Sequence, residues 1–361
     1  MRYAWGIRMK RQGTVRFPIM LFITVMLTVL SGCGKRGAGS GVEEGMQYIA
    51  SMNYSAALDS FTAAEANGED SRLIARGRGI ACIGLTDYEA AVENLLLCLS
   101  LSDGVVTDMD YDVNYYLAAA YQKLGRDQDA EAVYDAILAL RPGEADAYYL
   151  RGNARLSQGQ FETAKEDFDA AIRLNPSDFA RLIQVYEVLA ANGYKEPGRE
   201  YLETALAERS AKMGAFDKGC INYFLGNYEQ AQVLLEDAKS SGTADAYLYL
   251  GMAYEATGDY NYAITNVYTG YLNKNEGNAE IYNQLGLCYM KQGDYALALE
   301  AFQNAMQIPD NGMIQTLQFN EIIAYEHLGE YTQAEVLLNN YLKTYPDDEV
   351  AQREYIFLST R

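Results

Sequence analysis

The stretch from Ala279 to Gly312 constrains the chain most, because it spells a helical hairpin that cannot bury its own faces. Tyr282, Leu285, Gly286 and Tyr289 fall at i, i+3, i+4 and i+7, one apolar stripe on a helix. Gly293-Asp294 breaks the pattern. Tyr295, Ala298, Phe302 and Ala305 resume it, and Pro309 ends it because proline cannot extend the hydrogen-bond ladder. The small residues Gly286 and Ala298 mark where two helices approach closely, while Tyr295 and Phe302 are large enough to fill the gap to a next pair. A single copy leaves one face bare, so the chain has to stack several.

Tyr-x2-Leu-Gly-x2-Tyr, followed by Gly-Asp-Tyr, Ala-x3-Phe and a proline, resembles the tetratricopeptide repeat, with tyrosine in the place of the usual tryptophan. Nine copies of the pattern begin near residues 38, 72, 111, 145, 179, 212, 244, 279 and 315. The third and fourth keep a strict 34-residue phase, with Gly125, Ala130, Tyr134 and Pro142 against Gly159, Ala164, Phe168 and Pro176. The seventh reads Tyr247-x2-Leu250-Gly251-x2-Tyr254, then Gly258-Asp259-Tyr260 and Ala263, and departs at Gly270, where alanine is usual. The sixth is the least regular, with a first helix expected from Met213 to Phe224. Leu101 to Asp110 exceeds the period and reads as a longer loop or a lengthened helix.

The resemblance implies an all-α fold, a right-handed α-solenoid of about nine hairpins over residues 42–346. A capping helix is expected within residues 347–361, started by Asp347 or Asp348.

Met1 to Arg16 is basic, and Phe17 to Leu30 is an uncharged run of 14 residues, too short to span a bilayer comfortably and laid out like a secretory signal. It ends in Leu30-Ser31-Gly32-Cys33, which resembles the bacterial lipobox: an aliphatic residue, two small ones and the cysteine that takes the lipid. Residues 1–32 are thus expected to be removed. Residues 33–41 become a lipidated Cys33 with a flexible Gly-rich spacer, placing the chain outside the cytoplasm on a membrane, an outer one if the cell has two. An ordinary cleaved signal or an uncleaved anchor is the alternative.

Loss of the five basic residues before Cys33 leaves 24 Lys and Arg against 49 Asp and Glu, a formal charge of −25. Such a surface repels phosphate backbones, so nucleic acid is not expected as a partner. His327 is the only histidine and has no motif partner, no Cys/His cluster marks a metal, and no enzyme activity or cofactor is expected. Cys82, Cys98, Cys220 and Cys288 each lie in an expected helix. In an oxidising compartment an even count invites disulfides, and Cys82 and Cys98 sit on opposite helices of one hairpin. Their repeat positions do not clearly share a level, which favours buried free thiols.

The 31 tyrosines mostly occupy the repeat's packing positions. In members of the resembled family, first-helix residues on the concave side touch ligands, and by that phase Tyr115, Tyr149, Asn153, Phe216, Tyr223, Asn283 and Phe319 would line the groove. An aromatic and amide lining suits an extended peptide of the cell envelope, and would also suit a wall glycan. The Lys/Asn clamp that some members close on a C-terminal carboxylate is missing, since Tyr149 stands where the basic residue would precede Asn153. A non-enzymatic, lipid-anchored scaffold for protein interaction is the expected function, with capture of a wall glycan or secreted peptide as the alternative.

Overall fold

The computed structural model describes residues 40–359 apart from Glu276, Asp310 and Asp347. The signal segment, Cys33 and the spacer up to Gly39 lie outside the described residues, as does Asp347, one of the two candidate caps. Among the described residues the fold is all-α, nineteen helices with no strand. Contacts divide the described residues into two compact units: those up to Arg126 together with Val188–Lys195, and Asp127–Glu187 together with those from Glu196 onward.

The first unit pairs Gly41–Ala50 with Tyr54–Ala66 and Ser71–Gly84 with Tyr88–Ser100, and adds Asp108–Lys123. The extension after Ser100 is a loop, and the next helix starts only at Asp108. Ser40 caps the opening helix, and Asp70 caps Ser71–Gly84 by accepting from the N–H groups of Arg72 and Leu73.

The second unit opens with Asp127–Leu140. Its hairpins then follow: Ala145–Ser157 with Phe161–Leu174, Ala215–Leu225 with Tyr228–Ala238, Ala279–Gln292 with Tyr295–Met306, and Ile314–His327 with Tyr331–Thr344. The helices Phe179–Ala191 and Lys195–Arg209 hold the fifth copy, and Ala244–Ala256 with the run 260–272 the seventh. Asp348 caps the last helix, Glu349–Leu358, through the N–H groups of Val350 and Ala351.

One packing rule recurs. A glycine on the first helix faces a bulky side chain on the second, and a Cβ there would overlap it: 2.6 Å from Phe61 at Gly45, 2.7 Å from Phe168 at Gly152, 2.6 Å from Leu235 at Gly219 and 2.5 Å from Phe302 at Gly286. Phe61, Phe168 and Phe302 are wholly buried. Each contributes about 1.5–3 kcal/mol by leaving water, and only if the helices can close on it. In the fifth copy the roles are exchanged. Tyr186 stands at the glycine's place, and the small residue is Gly198 on the second helix, where a Cβ would meet the Tyr186 backbone at 3.2 Å.

The seventh hairpin breaks the count. Elsewhere the bulky residue follows its alanine by four, as Ala298 to Phe302, but four from Ala263 is Val267. The residue that packs on Gly251 is Tyr268, one later, and the extra residue is taken up by a π-helical segment over Ala263–Tyr268. This copy is accordingly 35 residues long by its neighbours' starts. Tyr268 is wholly buried and donates from its hydroxyl to Glu255 Oε1 at 2.5 Å. The shift also moves Tyr271 onto the inward position, edge-on to Tyr247 at 5.1 Å, so Gly270 faces open space instead of the usual alanine contact.

The fourth hairpin carries charge where the pattern has Leu and Tyr. Arg151 and Arg155 converge on Asp167, which is 2% exposed. Arg151 donates Nη2 and Nε to it at 2.6 and 3.0 Å, and Arg155 donates Nη1 at 2.9 Å. The same arginines reach Asp135 at 2.6 Å and Glu131 at 2.7 Å. Burial works against the ionised Glu131, but hydrogen bonds from Arg155 and Gln158 outweigh it and hold the carboxyl below its ordinary range.

Two outcomes follow for urea unfolding. Gly270→Ala fills open space in a helix and should raise stability by about 0.5–1 kcal/mol, whereas Gly251→Ala forces a Cβ into Tyr268 and should cost about 1–3 kcal/mol; equal shifts would refute the π-segment register. Asp167→Ala removes the buried carboxylate that two half-buried guanidinium groups share, leaving them Asp135 and Glu131, and should cost about 1.5–3 kcal/mol, with a loss under about 1 kcal/mol marking the network as a surface ion pair.

Candidate functional site

Two first helices of the second unit bring four aromatic rings into one connected run. Phe216 and Tyr223 sit on Ala215–Leu225, two turns apart, so both project to one side. Tyr249, on Ala244–Ala256, meets them both edge-on, with centroids 6.1 Å from Phe216 and 6.0 Å from Tyr223. Phe224 lies 5.9 Å from Tyr249 and 5.7 Å from Tyr186, which carries the run onto Phe179–Ala191. Phe216, Tyr223, Phe224 and Tyr249 are each half-buried, neither core nor free surface. Burial pushes the Tyr223 and Tyr249 phenols well above their ordinary range.

Glu187 belongs to the same place. Its carboxyl is half-buried, burial raises it above the ordinary carboxylate range, and no basic side chain pulls it back. It lies near enough to Tyr149, Tyr223 and Tyr249 for its charge to disfavour their phenolates. Neither Glu187 nor Tyr249 stood out in the sequence. Glu187 could have been found, since it follows Asn153 by 34 residues and therefore repeats its position. Tyr249 was masked by Tyr247, two residues earlier, which fills the repeat's own aromatic position.

Tyr149 and Asn153 form a second group. Tyr149 is only 5% exposed, its ring 6.0 Å from Phe168 on one side. The Arg181 guanidinium lies 4.3 Å from the ring centroid. Arg181 is paired through Nη2 with Asp146, while its Nε stands 3.9 Å from Asp178. Asn153 hydrogen-bonds the Tyr149 phenol, yet its own Oδ1 is buried without a partner, as is Arg181 Nε.

The remaining sequence candidates stand apart from these two groups. Asn283 is 7% exposed and its Oδ1 accepts from Asn320 Nδ2 at 2.8 Å, so its amide is partly used inside the fold. Phe319 is half-buried with its ring 5.8 Å from Tyr341. Tyr115 is half-buried on Asp108–Lys123, in the first unit.

His327 is exposed and stacks on Tyr295, centroids 4.6 Å apart and planes 19° from parallel. Cys82, Cys98, Cys220 and Cys288 are buried and free, and burial pushes each thiol up. Among the described residues no group of three His, Cys, Asp or Glu side chains is placed to hold a metal ion, and no helix is long and apolar enough to cross a membrane.

A comparison with curated proteins gives no match. Solved structures do match. A tetratricopeptide repeat protein from Parabacteroides merdae aligns with 16% identity over 70% of this chain and 98% of its own, TM-score 0.44. MamA from Desulfovibrio magneticus aligns with 21% identity over 48% of this chain and 98% of its own, TM-score 0.40. A human IFIT1 dimer with PPP-AAAA aligns with 16% identity over 90% of this chain and 87% of its own, TM-score 0.41. This last structure corrects the expectation that nucleic acid is excluded: IFIT1 is seen with RNA. A formal charge summed over a whole chain does not decide what one local surface of a repeat array can hold.

Family models described as tetratricopeptide repeat match residues 117–148, 145–178, 245–275, 279–308 and 318–348. These segments contain the hairpins in which Gly152, Gly251 and Gly286 receive Phe168, Tyr268 and Phe302. Over residues 117–178, 245–275, 279–308 and 318–348 this chain is therefore built of tetratricopeptide repeats.

Proposed function

We propose that this protein is a non-enzymatic scaffold, held outside the cytoplasm by a lipid on Cys33, that binds an extended segment of a cell-envelope protein on the first-helix face of its second unit. The observation that carries the binding role is the run of half-buried rings Phe216, Tyr223, Phe224 and Tyr249. Isolated half-buried aromatics are ordinary, but a contiguous set on neighbouring first helices is a ready-made anchor for side chains of a partner. Tetratricopeptide repeats suggest protein interaction in general. For the anchor, the support is Leu30-Ser31-Gly32-Cys33 standing directly behind the uncharged run Phe17 to Leu30.

A scaffold needs no chemistry at this face, and none is required of its residues. The tyrosines stay protonated at neutral pH, so they offer ring faces and hydroxyl donors rather than charge. Asn153 Oδ1 is a buried acceptor with no partner of its own.

Crosslinking in intact cells of the native host should capture an envelope protein with the wild type, and Phe216→Ala with Tyr249→Ala should reduce that capture at least tenfold, as loss of two desolvated aromatic anchors commonly does. Capture unchanged by the double variant would remove this face from the function. Metabolic labelling with an alkyne-tagged palmitate tests the anchor. Wild type should take the label and sediment with membranes, whereas Cys33→Ser should stay unlabelled and unprocessed; an unlabelled wild type would refute lipidation.

A further inference from the structure

A cavity of about 420 Å³ opens in the second unit between Phe161–Leu174 and Lys195–Arg209, the second helices of the fourth and fifth copies, and shares no residue with the aromatic run. The buried Ile172, Leu182 and Ala205, with the more exposed Pro176 and Pro197, supply its apolar wall. The two prolines have no N–H to offer, so a polar ligand here has to be held by side chains.

Those side chains divide into committed and uncommitted groups. Asp169 is committed, since its Oδ1 accepts from the Tyr201 hydroxyl at 2.6 Å and its Oδ2 from Lys165 Nζ at 3.1 Å. Arg173 and Arg209, also on the wall, are not. Neither makes an ion pair or a side-chain hydrogen bond among the described residues, and Arg209 Nη1 is shut off from water with no acceptor. The other acid on the wall, Glu200, is exposed and pairs with neither arginine.

A guanidinium N–H that gives up water without gaining an acceptor is a cost to the fold, and an acceptor brought into the cavity removes it. The planar fork of such a group matches the two oxygens of a carboxylate or the face of a phosphate. Charge decides between them. Three cations, Lys165, Arg173 and Arg209, stand against Asp169 and Glu200, which leaves one positive charge for a ligand. A monoanion is balanced by that surplus, whereas a dianion would face the two carboxylates uncompensated. The volume lies toward the lower end of small-molecule sites, about 300–1,000 Å³, so it suits a charged head with a short apolar body.

We propose that this cavity binds a small organic monocarboxylate, its head on Arg173 and Arg209 and its body against Ile172, Leu182 and Pro197. The site belongs to second helices and does not rest on the scaffold reading of the first-helix face.

The test is ligand-observed NMR on the purified full chain in detergent. Isovalerate, benzoate and phenylacetate serve as probes, their amides as neutral counterparts and inorganic phosphate as a competitor. Arg209→Gln and Arg173→Ala in the same detergent give the micelle background. At least one acid should bind the wild type tenfold or more tightly than its amide does, and each variant should lower that affinity at least tenfold. Arg209→Gln should melt no lower than the wild type, since it withdraws a donor that lacks an acceptor. If it fails to fold, Arg173→Ala, at an exposed position, decides the matter alone. Equal binding of acids and amides would overturn the site, as would acid binding that is the same in wild type and variants. Absence of binding at millimolar acid, or displacement of the acid by phosphate at a lower concentration than the acid itself needs, would also overturn it.

Discussion

The closeness of two helices in each hairpin is the constraint on which the rest depends. A glycine on one helix opens a slot, and a phenylalanine, leucine or tyrosine from the other fills it, as at Gly45 with Phe61, Gly152 with Phe168 and Gly286 with Phe302. Apolar burial drives the closure, but sterics decide that it happens at one place and not a turn away. The fifth copy shows that the constraint is on the gap and not on the residue that makes it. There Tyr186 takes the glycine's place, and Gly198 supplies the room from the opposite side.

With the gap fixed, other positions of the first helices take part in the core only partly. Phe216, Tyr223 and Tyr249 pack against the buried cluster and stay half-buried, and so they also form a surface with its own chemistry. The charged network around Asp167 follows the same division of labour from the inner side. Arg151 and Arg155 stand where an apolar pair would serve, and the hairpin tolerates them because every charge there meets an opposite one.

Much of this was legible in the sequence, and what was not has identifiable causes. The helix pairs and their all-α class follow from spacing that recurs with a fixed period, because stacked hairpins repeat one local environment. The irregular sixth copy forms Ala215–Leu225, inside a residue or two of the expected Met213 to Phe224. Depth was harder to read than side. Phase puts Tyr149 and Asn283 toward the inner face, yet both are nearly buried, because neighbours far away in sequence, Arg181 and Asn320, close over them. Glu187 escaped notice since a carboxylate on a helix is ordinarily solvated, and its half-burial depends on packing that spacing along the chain does not show.

The seventh hairpin was misphased for a different reason: counting by 3.6 residues per turn assumes one ladder throughout. The π-helical segment at Ala263–Tyr268 carries one residue more than its fellows, so the copy spans 35 residues and the next hairpin begins its own pattern at Ala279. In evolutionary terms, a single-residue insertion inside a packed helix is usually fatal because it rotates everything beyond it by about 100°. Here the rotation is confined to one turn and turned to use by Tyr271. Repeat arrays of this construction can therefore accumulate odd-length copies one at a time, each insertion absorbed within its own hairpin before a neighbour is affected.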